Sequence, residues 1–224
     1  MAGRRSRKGS EKRDPDATRR ALLEAGAHLF PESGYDGTSV VDLAARAGVN
    51  KALISYHFGG KRGLYVAVLE SAFAEMADRL VAVEATASDA RAGLRGFLSA
   101  FAAMTRERPD FPALFLRDAL SAGIEPAVAP HLLKILGVTQ RLAARGVREG
   151  VFRRVDPVLL HLGLVGSLAF FFGTAHARTK AHAAGLLPFE PPTPRAFIRQ
   201  LEEVTLRGLA SDPSSGKKKK GARS

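Results

Sequence analysis

Apolar residues recur along this chain at steps of three and four, and no segment alternates with period two over a convincing length. Leu22, Ala25, Leu29 and Phe30 mark a first helix, opened by Asp14-Pro15 and closed by Gly34. A second starts at Thr38 or Ser39, with Asp42 three residues beyond Ser39 in the manner of a capping box. A third runs from Asn50 to about Phe58, where Gly59-Gly60 ends it. Leu64, Val68, Phe73, Met76, Leu80 and Val83 form one long stripe, and Leu94, Phe97, Leu98, Phe101 and Met104 the next. Pro109 and Pro112 bracket a short helical start with Phe111, Leu114 and Phe115. Further helices are predicted over roughly 125–149, ending at Gly150, and from Asp156-Pro157 to about Arg178. After a Gly- and Pro-rich loop (185–194), Phe197, Ile198, Leu201, Val204, Leu206 and Leu209 predict a last amphipathic helix. The pattern is that of an all-α protein.

The second and third helices carry the chemistry. Both are short, they are joined by a turn at Gly48, and Leu43, Ala47, Val49, Ile54 and Phe58 are spaced to pack them on each other and on the first helix. That layout is a helix-turn-helix, whose second helix fits a DNA major groove. Its polar residues fall on the opposite side. Lys51, Ala52 and Ser55 occupy the half that enters the groove: Lys donates to guanine O6 or N7, Ser pairs with either kind of edge, and Ala touches a thymine methyl. Thr38, Ser39, Tyr56, His57 and Lys61 are placed for phosphates, Lys61 at a helix start where free N–H groups favour an anion.

Charge agrees with this reading. The 224 residues carry a formal +12, concentrated at the ends. Residues 1–13 hold six basic side chains against one Glu, and residues 213–224 hold five basic side chains and no acidic one. The stretch between is nearly balanced. Two basic tails (1–13 and 211–224) suit a polyanion, although the second equally suits a solubilising end. The absence of Cys excludes a disulfide framework and a thiolate metal site. His176 and His182 are too loosely spaced for a metal, and no nucleophile–base pair or phosphate loop points to an enzyme or a cofactor. No apolar segment follows the basic N-terminus as a signal peptide requires, so a cytoplasmic location is expected.

The run GYDGTSVVDLAARAGVNKALISYHFGGKRGLY resembles the DNA-binding head of the TetR (tetracycline-repressor-like) transcriptional regulators. The resemblance rests on Gly34-Tyr35, Thr38-Ser39-Val40, Leu43-Ala44, Ala47-Gly48-Val49, Tyr56-His57-Phe58, Lys61 and Leu64, and it covers residues 27–65. The chain departs from the family at Ser55, where many relatives carry Tyr. The resemblance implies a homodimer, a three-helix head over 14–60, and a helical body over 61–210 that binds a small effector. It also implies that Thr38, Tyr56, His57 and Lys61 anchor phosphates while Lys51, Ala52 and Ser55 face bases.

Residues 157–177 contain no Asp, Glu, Lys or Arg, and their length matches a bilayer span. His161, His176 and the glycines at 163, 166 and 173 argue instead for a buried helix at a subunit interface. With the last helix it would form half of an intersubunit four-helix bundle. Phe97, Phe101, Met104, Phe111, Phe115 and Phe171 are either plain core or the lining of an effector pocket, with His131, His161 and His176 as candidate polar contacts. The expected function is a ligand-responsive regulator of transcription, a repressor released from a palindromic operator by a small molecule. The alternative is an architectural double-stranded-DNA-binding protein that needs no ligand.

Overall fold

The computed structural model describes residues 14–109, 111–113, 115–116 and 123–211. The basic arm (1–13), the C-terminal tail from residue 212 and Leu114 lie outside the described residues. One compact unit ends at Val68 and a second begins at Leu69.

In the first unit, Asp14 caps helix α1 (Pro15–Gly37) by accepting from the Asp16 N–H, and Pro15 occupies the first turn, where its missing N–H costs nothing. Gly34 interrupts α1 where the sequence placed the end of the first helix. It takes φ 75° and ψ 175°, a conformation open to glycine alone, and the chain kinks there before one further short turn to Gly37. Helix α2 (Val40–Ala47) starts at its Ser39 cap and stops at Gly48, in the left-handed region at φ 64°. The Asn50 side chain accepts from the Ala52 N–H to start α3 (Ala52–Phe58), and Gly59 at φ 71° ends it. Helix α4 (Lys61–Thr86) follows and runs on into the second unit. Leu22, Phe30, Leu43, Ile54 and Leu64 are fully buried and form the core of this unit. Gly26 is required there, because a Cβ would sit 2.9 Å from Val68 Cγ2.

The second unit contains the rest of α4 and α5 (Ala90–Glu107), α6 (Ala129–Arg148), α7 (Pro157–Gly173), α8 (Ala175–Ala183) and α9 (Pro194–Leu209). Residues 111–113 and 115–116 are also helical. Leu80, Leu94, Phe97, Leu98, Val138, Leu142, Leu164 and Leu168 are its buried centre. Among the described residues no strand forms; an isolated antiparallel bridge joins Phe152 to Ala210, and the Arg153 N–H donates to the Leu209 carbonyl, which ties the end of α9 to the turn after α6.

Two boundaries differ from expectation. Helix α6 begins at Ala129 rather than near 125, because residues 126–128 form a turn. The apolar helix expected to reach Arg178 ends at Gly173. Thr174 then uses both its N–H and its hydroxyl on the Phe170 carbonyl, and α8 departs at 44° to α7. At this break Gly173 packs closely, since an added Cβ would come 3.0 Å from the Pro112 carbonyl oxygen. Among the described residues no single helix is long and apolar enough to cross a membrane; only the bent pair α7–α8 has the length and composition.

Candidate nucleic-acid interface

Helices α2 and α3 are locked together by buried Leu43, Ala44 and Ile54, and the turn between them is closed by the Val49 N–H on the Ala44 carbonyl at 3.0 Å. This packing turns the other face of α3 outward. Lys51, Ala52, Ser55 and Tyr56 are all exposed, Tyr56 to 78%. Tyr56 is therefore no part of the core of this unit. The Lys ammonium, the Ser hydroxyl and the Ala methyl supply the donor and apolar groups that base edges in a major groove accept.

The flanking groups are less free than the sequence suggested. His57 is half-buried with its ring against Tyr56, centroids 4.9 Å apart. Lys61 lies in the first turn of α4, and its ammonium sits 4.3 Å from the Tyr35 ring centroid, a cation–π contact. Tyr35 in turn packs on Phe30 and Tyr65. Arg19 lies 5.2 Å over Phe58, an approach the sequence reading missed because no local spacing pairs α1 with the end of α3. Ser39 is exposed, but its hydroxyl donates to the Asp42 carboxylate at 2.6 Å while accepting from the Asp42 N–H at 3.0 Å.

Thr38 requires a correction. It was expected to donate to phosphate, yet it is buried, and its hydroxyl donates to the Gly34 carbonyl at 2.7 Å and reaches the Leu29 carbonyl at 3.1 Å. The Thr38 N–H turns to the Tyr35 carbonyl, and the Thr38 hydroxyl takes the Gly34 carbonyl that this N–H would have bonded in a continuing helix. The residue holds the α1–α2 corner.

A narrow cavity of about 40 Å³ lies in the second unit. Of the expected pocket residues, Phe101, Met104, Phe111 and Phe115 line it. Three others do not. Phe97 is buried in the core at 1% exposure. His131 lies close enough to the Asp78 carboxylate to act on it, alongside Lys134. Phe171 is taken up in a parallel stack with Phe197, centroids 3.8 Å apart, under the Arg178 guanidinium. His161, expected as a polar contact, also lines it, His176 does not, and the cavity gains Phe73, Met76, Ile135 and Val165. Helical spacing put Phe73 and Met76 on the buried stripe of α4, but spacing alone does not distinguish a cavity wall from a filled core.

The sequence profile described as bacterial regulatory proteins, tetR family, matches residues 22–68, which span α2, α3 and their supports. A solved TetR-family transcriptional regulator from Pectobacterium atrosepticum is 32% identical, covers 89% of this chain and 97% of its own, and superposes with a TM-score of 0.61. The chain belongs to the TetR family. Like other members of the TetR family it is a transcriptional regulator that binds DNA through its helix-turn-helix. The HTH-type transcriptional repressor NicS of Pseudomonas putida is 23% identical over 207 residues, 90% of this chain and 96% of that protein. The HTH-type transcriptional activator FasR of Mycolicibacterium smegmatis is 34% identical over 86 residues, 38% of this chain and 39% of its own.

Outside the cavity, this TetR-family body carries an apolar face on α7 and α9. Val158, Leu159, Leu162, Phe170 and Val204 are exposed there. Gly163, Gly166 and Gly208 share the feature that an added Cβ would meet nothing within 4 Å, so packing inside this subunit does not require them.

Proposed function

We propose that this regulator is a homodimeric repressor that occupies a palindromic operator and is released by a small effector. The observation that carries the DNA part is the outward face of α3, with Lys51, Ala52 and Ser55 assigned to bases. Ser39, Tyr56, His57 and Lys61 are assigned to phosphates, and the basic arm over residues 1–13 adds contacts that hold any sequence. Dimerisation through α7 and α9 is supported by the exposed apolar side chains there and by glycines that no neighbour in the subunit demands. Two heads related by a two-fold axis read two half-sites separated by at least about one helical turn, ~34–36 Å. Repression, rather than activation, is supported by likeness along nearly the whole chain to a repressor, against likeness over a shorter stretch to an activator.

Release follows from population shift. An effector that binds one body conformation better than another biases the equilibrium by that difference alone. Helix α4 bears Lys61 in its first turn and Phe73 and Met76 at the cavity, so it is the element assigned to carry the shift.

Selection of bound sequences from random DNA tests this. Enrichment of one palindrome, with a footprint over it, is the expected result. No enrichment, together with a steep salt slope on every duplex, would instead establish the architectural role suggested by the basic tails.

A further inference from the structure

Two features of the body cavity restrict what it can hold. One side of it is aromatic and thioether, with Phe73, Phe101, Phe111 and Phe115 beside Met76 and Met104, and aliphatic residues such as Ile135 and Val165 complete the lining. Phe73 meets Phe111 and Phe115 edge-on, with centroids 5.2 and 5.0 Å away. Rings so arranged around a narrow space accept a flat ring better than a globular group.

The polar groups are few, and most are committed. The Thr105 hydroxyl donates to the Ala102 carbonyl at 2.9 Å. Arg108 donates to Glu75 at 2.9 Å, and Glu75 also pairs with Arg79, which in turn pairs with Glu107. These two cations and two anions balance, so the rim of the cavity offers an anion little net field. His161 differs. Its Nδ1 lies 3.1 Å from the hydroxyl of Thr139, which is buried and meets no other partner among the described residues. A buried hydroxyl must place its proton on an acceptor, and the acceptor at hand is Nδ1. The imidazole proton then resides on Nε2, on the ring edge turned away from Thr139. His161 lines the cavity and Thr139 does not, so the Nε2–H is the donor of this ring left for a bound molecule. Burial holds the imidazole below its usual pKa, which keeps the ring neutral.

On the reading that this cavity is the effector site, we infer that the effector is a neutral, flat, largely apolar molecule. It carries one hydrogen-bond acceptor, a ketone oxygen or a ring nitrogen, that takes the His161 Nε2–H. A carboxylate meets no net positive charge at this balanced rim. A hydrocarbon leaves the Nε2–H without a partner once water is displaced.

Calorimetric titration of the full-length chain with three probes tests this: 1-tetralone, its hydrocarbon analogue tetralin, and 1-naphthoate. Tetralone is expected to bind tightest, exceeding tetralin by roughly tenfold, the cost of one unsatisfied buried donor. His161→Phe should bring tetralone and tetralin together, and His161→Gln, which keeps a donor at that reach, should restore the difference. DNA binding and circular dichroism check that each variant is folded. Equal affinities for tetralone and tetralin in the unmodified chain would remove His161 from recognition. Tighter binding of 1-naphthoate, with that preference lost in Arg108→Gln, would overturn the assigned polarity while leaving the effector site in place. If none of the three binds, the inferred effector chemistry falls.

Discussion

Replacing Thr38 with Val separates a structural role from a DNA-contacting one. The two side chains have nearly the same shape, so the substitution removes only the hydroxyl. That hydroxyl is buried and serves the Gly34 carbonyl at 2.7 Å and the Leu29 carbonyl at 3.1 Å, at a corner where a kink has already broken the helical ladder. Leaving a buried carbonyl without a donor costs ~1–3 kcal/mol, and the added methyl recovers part of this, so a net loss of about 1–2 kcal/mol is expected. Amide exchange over residues 29–44 of the intact protein reads the local opening, which should accelerate by roughly 5–30-fold. Thr38→Ser, which keeps the donor, should exchange much more slowly than the Val variant. Binding to an operator duplex, measured where the protein remains folded, should keep its salt slope. Unchanged exchange together with a slope shallower by ~0.9 would mean that Thr38 touches a phosphate after all, and would refute the assignment to the α1–α2 corner.

Lys51→Ala should cost ~1–3 kcal/mol on the specific site and relax preference at one position, measured by binding to single-base variants of the selected duplex; an unchanged preference would remove Lys51 from the base-reading set. Leu159 is 69% exposed in the subunit, so Leu159→Lys should leave helicity intact while shifting sedimentation to the monomer; a persisting dimer would move the interface off α7. The lowered pKa of His161 has a defined sign. The unfolded chain takes up a proton at this site near the ordinary value of 6.5 and the folded chain only at lower pH, so the full contribution to stability is present above 6.5 and is lost as pH falls below it. Urea unfolding across that range should show a slope that His161→Gln abolishes, and an equal slope in both proteins would place the titration elsewhere.

The head was largely legible because its determinants are local. Asp14, Ser39 and Asn50 cap through their own side chains, Gly48 and Gly59 supply left-handed turns, and Leu43 and Ile54 lie at helical spacing, so each signal sits within a few residues of what it decides. The outward placement of Lys51, Ala52 and Ser55 followed from the inward placement of Ile54.

Where a group's role depends on a distant partner, the chain alone was silent or misleading. Thr38 reads as a donor awaiting an anion until the kink at Gly34 brings two carbonyls to its hydroxyl. Gly173 is the last residue of a helix that composition would continue, and Pro112, distant in sequence, packs close against it. Phe171 and Phe101 are alike in sequence, yet one stacks on Phe197 and the other faces open space. Periodicity determines which face of each helix is apolar. Which apolar faces meet, and where they fail to fill the space between them, depends on crossing helices far apart along the chain, and only the folded body decides that.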